Sequence, residues 1–391
     1  MPERNLGFDR IIPRRSTKSL KWDKARERGV PEEALPMWVA DMDFETSSYV
    51  EDALAARARH GIYGYSEPLG EYFPAVSGWM QRRHGWKPEE EWLVRTPGVV
   101  FALAMAVRAY TESGDAVLIQ QPVYYPFSEV IRDNGRRIVS SDLRLGADGR
   151  YEMDMDDLEQ KIRSEHVRLM LLCSPHNPVG RVWSAEELKA VGRICKRHGV
   201  TVVSDEIHSD LVFSGKHRIF TDVDPGFTDF SLVLTSPSKT FNLAGLLLSN
   251  IFIPSRDLRR RFRREVEAAG ISQLSPFGLD ACEAAYTKGE QWYAAMMDYV
   301  RGNIRFAREF TEQQLPGIRL MPHEGTYLLW LDCRDLGLDS SELDRRILHE
   351  AGLWLDSGRI FGPAGEGFQR LNAACPRPVL QEAFARLRKI L

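Results

Sequence analysis

The chain has 391 residues, 43% of them hydrophobic, enough for a large core and for more than one domain. Its 52 basic and 55 acidic side chains are mixed along the sequence and leave a formal net charge of −3, which excludes the basic footprint of a nucleic-acid binder. Five scattered cysteines without a CxxC pair argue against a disulfide framework or a zinc site and favour a reducing compartment.

The start, MPERNLGFDRIIPRRS, lacks the apolar stretch of a signal peptide. The longest apolar run, near LAGLLLSNIFI, is interrupted and too short to span a bilayer. The expectation is a soluble, cytoplasmic protein with neither a membrane nor a nucleic acid as partner.

Residues 1–46 read as an irregular arm rich in proline and charge. From 47 to 286 short apolar runs alternate with helical periodicity. The runs are DAVLIQQP (115–122), RLMLLCSP (168–175), VTVVSDE and FSLVLTSP (230–237). Ser184 and Glu187 have capping-box spacing, followed by Leu188, Val191, Ile194 and Cys195 on one helical face. Gly199 closes that helix. The basic RRRFRRE run reads as the solvated face of another helix, since Glu265 and Glu267 accompany it.

Strands alternating with helices predict an α/β domain with a mostly parallel central sheet over 47–286. Beyond it come an amphipathic stretch at 290–314 and strands in GIRLMPHEGTYLLWLD. A helical pattern follows at 340–351, then strands around 353–361 and 368–372 and a last helix. This predicts a smaller α+β domain over 287–391, with the arm joining it.

Ligands of open α/β sheets bind beyond the carboxyl ends of the strands. There the sequence places Tyr124, Asn177, Asp205, Ser236, Ser238 and Lys239. TPGVVFALAMAV opens a helix whose free N–H groups at Gly98, Val99 and Val100 suit a phosphate. Lys239 is the odd member, a lone amine set among small hydroxyl residues at the edge of an apolar stretch.

A lysine amine condenses with an aldehyde, and a carboxylate facing a pyridine nitrogen keeps the ring protonated as an electron sink. A stacked tyrosine holds the ring plane, an amide donates to the ring hydroxyl, and hydroxyls bind a phosphate. The set fits pyridoxal 5′-phosphate (PLP) better than any other common cofactor. No GxGxxG follows the early strands, which sets a nicotinamide enzyme aside.

Asn177-Pro-x-Gly180, Asp205 and Lys239 in SPSK resemble the pattern of fold-type I PLP enzymes. MWVADMDF (37–44), GIYGYS (61–66), PVYYPF (122–127) and SPHNPVGRVW (174–183) resemble, more narrowly, the cystathionine β-lyase/C–S lyase branch of the class I/II aminotransferase superfamily. SDEIHSDL (204–211), PSKTFNLAGL (237–246) and GEGFQRLN (365–372) do so as well.

The resemblance implies that Lys239 carries the cofactor and moves the substrate proton. It places Asp205 on the pyridinium nitrogen and Asn177 on the ring hydroxyl. It stacks Tyr124 on the ring, with Tyr125 as competitor, and puts Ser236, Ser238 and Gly98–Val100 on the phosphate. Arg370 would grip the substrate α-carboxylate. Tyr65, with Tyr63 as competitor, would reach the neighbouring subunit's phosphate and substrate site, which implies a homodimer with shared active sites.

Two positions depart from the superfamily. Leu247 stands where many aminotransferases have a phosphate-binding arginine. His208 stands near the ring oxygen where many relatives have tyrosine; a structural and a chemical role for it stay open. The implied reaction is α,β-elimination from L-cystathionine or a related L-cysteine S-conjugate to thiol, pyruvate and ammonia. Transamination shares the same residues and remains the alternative.

Overall fold

A computed structural model describes residues 6–391; residues 1–5, the start of the expected arm, lie outside the described residues. Seven short strands form one sheet: β1 (Leu93–Thr96), β2 (Ala116–Ile119), β3 (Arg137–Ser140), β4 (Leu169–Cys173), β5 (Thr201–Asp205), β6 (Ser231–Thr235) and β7 (Ser249–Phe252). Their order is β1-β7-β6-β5-β4-β2-β3, with β7 the single antiparallel member. The fold is therefore the expected α/β architecture of fold-type I PLP enzymes, a large, mostly parallel sheet flanked by helices.

The central strands Ala116–Ile119 and Leu169–Cys173 are continuously apolar because both faces are covered. Val117, Ile119, Leu169, Leu171 and Val203 face the helix Val99–Tyr110. Their neighbours Leu118, Met170, Leu172 and Val202 face the opposite way, toward Leu188, Val191 and Cys195 of the helix Ala185–Arg197. Successive strand residues point to opposite faces, so each five-residue run feeds two cores.

The Ser184–Glu187 capping box is present, with both reciprocal bonds made. The same helix carries Gly192, where an added Cβ would lie 2.1 Å from the buried Phe227 ring. Helix propensity alone would favour alanine there by about 1 kcal/mol. Overpacking wins: Gly192→Ala is expected to destabilise the fold by about 2 kcal/mol, read as a lower urea midpoint with an unchanged slope.

A second, antiparallel sheet comprises β8 (Arg319–Leu320), β9 (Leu328–Asp332), β10 (Asp356–Ser357) and β11 (Phe368–Asn372), in the order β8-β9-β11-β10. The amphipathic stretch is one helix, Glu290–Gln314, as its pattern predicts. Over 353–361 the strands are shorter than expected: Leu353–Trp354 and Asp356–Ser357, after which the chain turns through Gly358–Phe361. Leu35–Pro36 of the arm pairs in parallel with Leu353–Trp354. No helix among the described residues is long and apolar enough to cross a membrane.

Candidate active site

The parallel strands end on one side of the sheet, and their register aligns the ends. Cys173 lies opposite Asp205, and Asp205 opposite Leu234. Thr96 pairs with Ser249, one residue from the Asn250–Thr235 pair, so the turn at Gly98 sits beside the Ser236 turn. Gly98 has φ +119°, a backbone state L side chains rarely adopt, and caps the helix that starts at Val99. Val100 faces outward and is exposed.

Lys239 sits in the short turn Pro237–Thr240. Ser236 caps that turn, accepting from the Ser238 N–H at 3.1 Å, with the two hydroxyls 2.7 Å apart. Thr240 donates to Asp210 at 2.8 Å, and Asp210 also accepts from Trp79 at 2.9 Å, so a buried carboxylate pins the loop from below. Asn242 stitches it to the 37–44 segment through Met42 N–H at 3.0 Å and the Phe44 carbonyl at 2.9 Å.

The Lys239 Nζ donates to the Ala40 carbonyl at 2.6 Å, and Tyr327 donates to the same oxygen at 2.9 Å. Burial, aided by Arg370, brings the Lys239 amine down to about 8 against the opposing pull of Asp41 and Asp205. Asp205 is buried, with the Ile207 N–H on its carboxylate at 3.2 Å. Burial pushes its carboxyl up to about 7, although Ile207 and Lys239 oppose this. His208 is buried beside it with Nδ1 unpartnered. Burial, then the charges of Lys239 and Arg370, hold its imidazole well below the usual range and therefore neutral.

Arg370 crosses from β11 to the strand ends. Its Nη1 donates to Asn177 Oδ1 at 3.0 Å and its Nη2 to the Trp38 carbonyl at 2.8 Å. The Tyr124 N–H bonds the Asn177 carbonyl at 3.0 Å. Tyr125 lines a cavity with Asp356 and Trp38 and meets the Phe361 ring edge-on at 6.2 Å. Leu247, an apolar side chain 59% exposed, supplies no cation at that position.

The structure thus gathers Lys239, Asp205, Asn177, Tyr124, His208, Ser236, Ser238 and Arg370, with Gly98 and Val99 beside them. Within the chain it leaves Tyr65 apart, 97% exposed. Sequence reading missed the Trp38 carbonyl, Tyr327 and Asp356. Tyr327 directly precedes the buried strand Leu328–Asp332, and its hydroxyl needed a partner there, a signal within reach. The arm contributes too: Arg14 grips Asp41 at 2.6 and 3.0 Å, and Lys21 holds Asp43 at 2.6 Å, which fixes the segment carrying Ala40.

PLP fits this set. A buried carboxylate raised to about 7 calls for a protonated ring nitrogen. The amine at about 8 beside it is poised for an aldehyde. The Ser236–Ser238 pair and the Gly98 turn offer donors to a phosphate.

Fold and site together define a class of enzymes that work on amino acids through an aldehyde cofactor. The chain belongs to the aminotransferase class I and II family, whose model matches residues 41–387, and to its cystathionine β-lyase branch. It is 46% identical to cystathionine beta-lyase PatB of Bacillus subtilis over 99% of this chain and 100% of that protein. Cystalysin from Treponema denticola, solved with a pyridoxal 5′-phosphate cofactor, superposes with a TM-score of 0.94 at 38% identity, covering 98% of each chain. The PLP-bound C–S lyase from Staphylococcus hominis superposes at 0.92 with 34% identity, covering 99% of this chain and 98% of that one.

Proposed function

We propose that this chain, a PLP-dependent carbon–sulfur β-lyase, cleaves L-cystathionine and related L-cysteine S-conjugates to a thiol, pyruvate and ammonia. The carrying observation is the convergence of one amine, one buried carboxylate and one guanidinium at the strand ends of a lyase-branch fold.

Bound PLP supplies an electron sink conjugated to the substrate Cα. Asp205 would pair with the ring nitrogen and keep it protonated. Asn177 would donate to the ring hydroxyl, Tyr124 would stack on the ring, and His208 would add a neutral imidazole nearby. Ser236, Ser238 and the N–H groups of Gly98–Val100 would hold the phosphate. Arg370 holds the α-carboxylate, which sets the Cα–H bond toward Lys239. Lys239 Nζ takes the Cα proton, and the thiolate leaves Cβ. Water completes the balance as pyruvate and ammonia form.

The large cofactor domain spans 47–286 and the small domain 287–391 with the arm 1–46, a reading supported by the two separate sheets. The enzyme works as a homodimer in which Tyr65 reaches the partner's phosphate and substrate. In support, Tyr63 is engaged at home with the Ala58 carbonyl and the Phe277 ring, whereas Tyr65 projects outward between exposed Ile62 and Leu69. Five free, buried cysteines support a cytoplasmic setting.

The test is release of pyruvate and free thiol from L-cystathionine by the PLP-loaded protein without a keto acid. Sustained equimolar release is expected. Absence of thiol, with bleaching of the cofactor absorbance that a keto acid reverses, would identify an aminotransferase instead.

A further inference from the structure

Asp356 on β10 lies directly across the ladder from Arg370 on β11. Its Oδ2 is in direct contact with Arg370 Nη2, and both side chains are buried. Nη2 also donates to the Trp38 carbonyl, so both of its hydrogens are engaged. Nη1 donates to Asn177, while Nε is buried without a partner. A guanidinium grips a carboxylate with paired N–H groups along two edges, Nε with Nη2 or Nη1 with Nη2. Both edges use Nη2. An incoming α-carboxylate therefore meets a fork that is already closed.

Of the two groups closing it, the Trp38 carbonyl is fixed. It belongs to the 37–44 segment, which Asn372 holds through the Val39 carbonyl at 2.7 Å and which Arg14 and Lys21 anchor from the arm. Asp356 is a side chain with room to move. It lines a cavity of about 900 Å³ together with Arg28, Trp38, Tyr125 and Arg359. Arg359 is paired with Asp344 at 2.8 Å. Arg28 lies with its guanidinium 4.6 Å over the Trp38 ring, and its charge reaches Asp356.

We propose that Asp356 holds the place of the substrate α-carboxylate on Arg370, and that binding of an α-carboxylate hands Asp356 over to Arg28 across this cavity. The exchange keeps a buried cation paired in both states, the condition a buried guanidinium imposes. It makes Asp356 a specificity-determining residue. Only a ligand bringing its own carboxylate opens the fork, and part of that carboxylate's binding energy goes into displacing a rival anion. The inference rests on Arg370 being the carboxylate clamp.

The probe is propionate, which has a carboxylate and no amine to react with the cofactor. It is used as a competitive inhibitor of thiol release by the holoenzyme. Asp356→Asn keeps shape and an acceptor but removes the competing charge, so the propionate inhibition constant is expected to fall about tenfold. Arg28→Ala removes the receiving cation on an exposed side chain, and the constant is expected to rise about fivefold. A constant that is unchanged or raised in Asp356→Asn overturns the proposal, as does an unchanged constant in Arg28→Ala. A gain in affinity is not what a merely damaged site gives. Arg370→Lys separates the two readings. If propionate inhibits it as well as the parent, the clamp assignment has failed; if inhibition weakens while Asp356→Asn shows no gain, only the place-holder has failed.

Discussion

Lys239→Ala is expected to lower turnover of L-cystathionine by about four orders of magnitude and to leave the fold intact, since it removes both the nucleophile and the proton carrier. Burial and the Arg370 charge bring this amine down to about 8, so a useful fraction is unprotonated near neutral pH. Alanine has no group to replace it, and His208, held neutral well below its usual range, is too weak a base to take over. The fold survives because the Ala40 carbonyl keeps the Tyr327 hydroxyl at 2.9 Å when Lys239 leaves. The loop itself is held by Thr240 on Asp210 and by Asn242 on the 37–44 segment. Pyruvate release and the melting temperature, measured on one preparation, check both halves. Turnover within tenfold of the parent would remove Lys239 from its role.

Asp205→Asn is expected to act with opposite signs on the cofactor-free and the cofactor-bound protein. In the cofactor-free chain the carboxyl is raised from 3.8 to about 7, chiefly by burial. The folded chain thus holds this proton more tightly than the unfolded one. That contribution is fully present below about 3.8, is lost as pH rises, and is gone above about 7. Above that window the buried anion weighs on the cofactor-free fold by on the order of 4 kcal/mol.

Asparagine, nearly isosteric and uncharged, removes that burden. Cofactor-free Asp205→Asn should therefore melt higher than cofactor-free parent at pH 8, with the difference shrinking toward pH 4. With PLP present the anion has its cationic partner and the order reverses. The variant should bind the cofactor more weakly and turn over about a thousandfold more slowly, because the ring nitrogen is no longer held protonated. A cofactor-free variant that melts lower than the parent at pH 8 would show that burial does not govern Asp205.

The sequence by itself determined the large sheet and most of its site. Runs such as Ala116–Ile119 and Leu169–Cys173 are apolar throughout because both faces are covered, and that pattern is local. Parallel strands bring their carboxyl ends to one edge, so residues at or just beyond those ends, Asn177, Asp205 and Lys239, come together there.

What the tertiary structure decided lies in contacts between remote segments. Lys239 and Tyr327 converge on the Ala40 carbonyl from residues 199 and 287 positions away. A backbone carbonyl carries no side-chain identity for a motif to reveal. Tyr124 and Tyr125 are adjacent and alike in sequence; only the fold sets Tyr125 on the cavity that Asp356 lines. Asp356 itself sits in a two-residue strand with no periodicity to read, and it matters only because β10 aligns it opposite Arg370. Local pattern governs which residues line a strand end; register between distant strands governs which charges share a guanidinium.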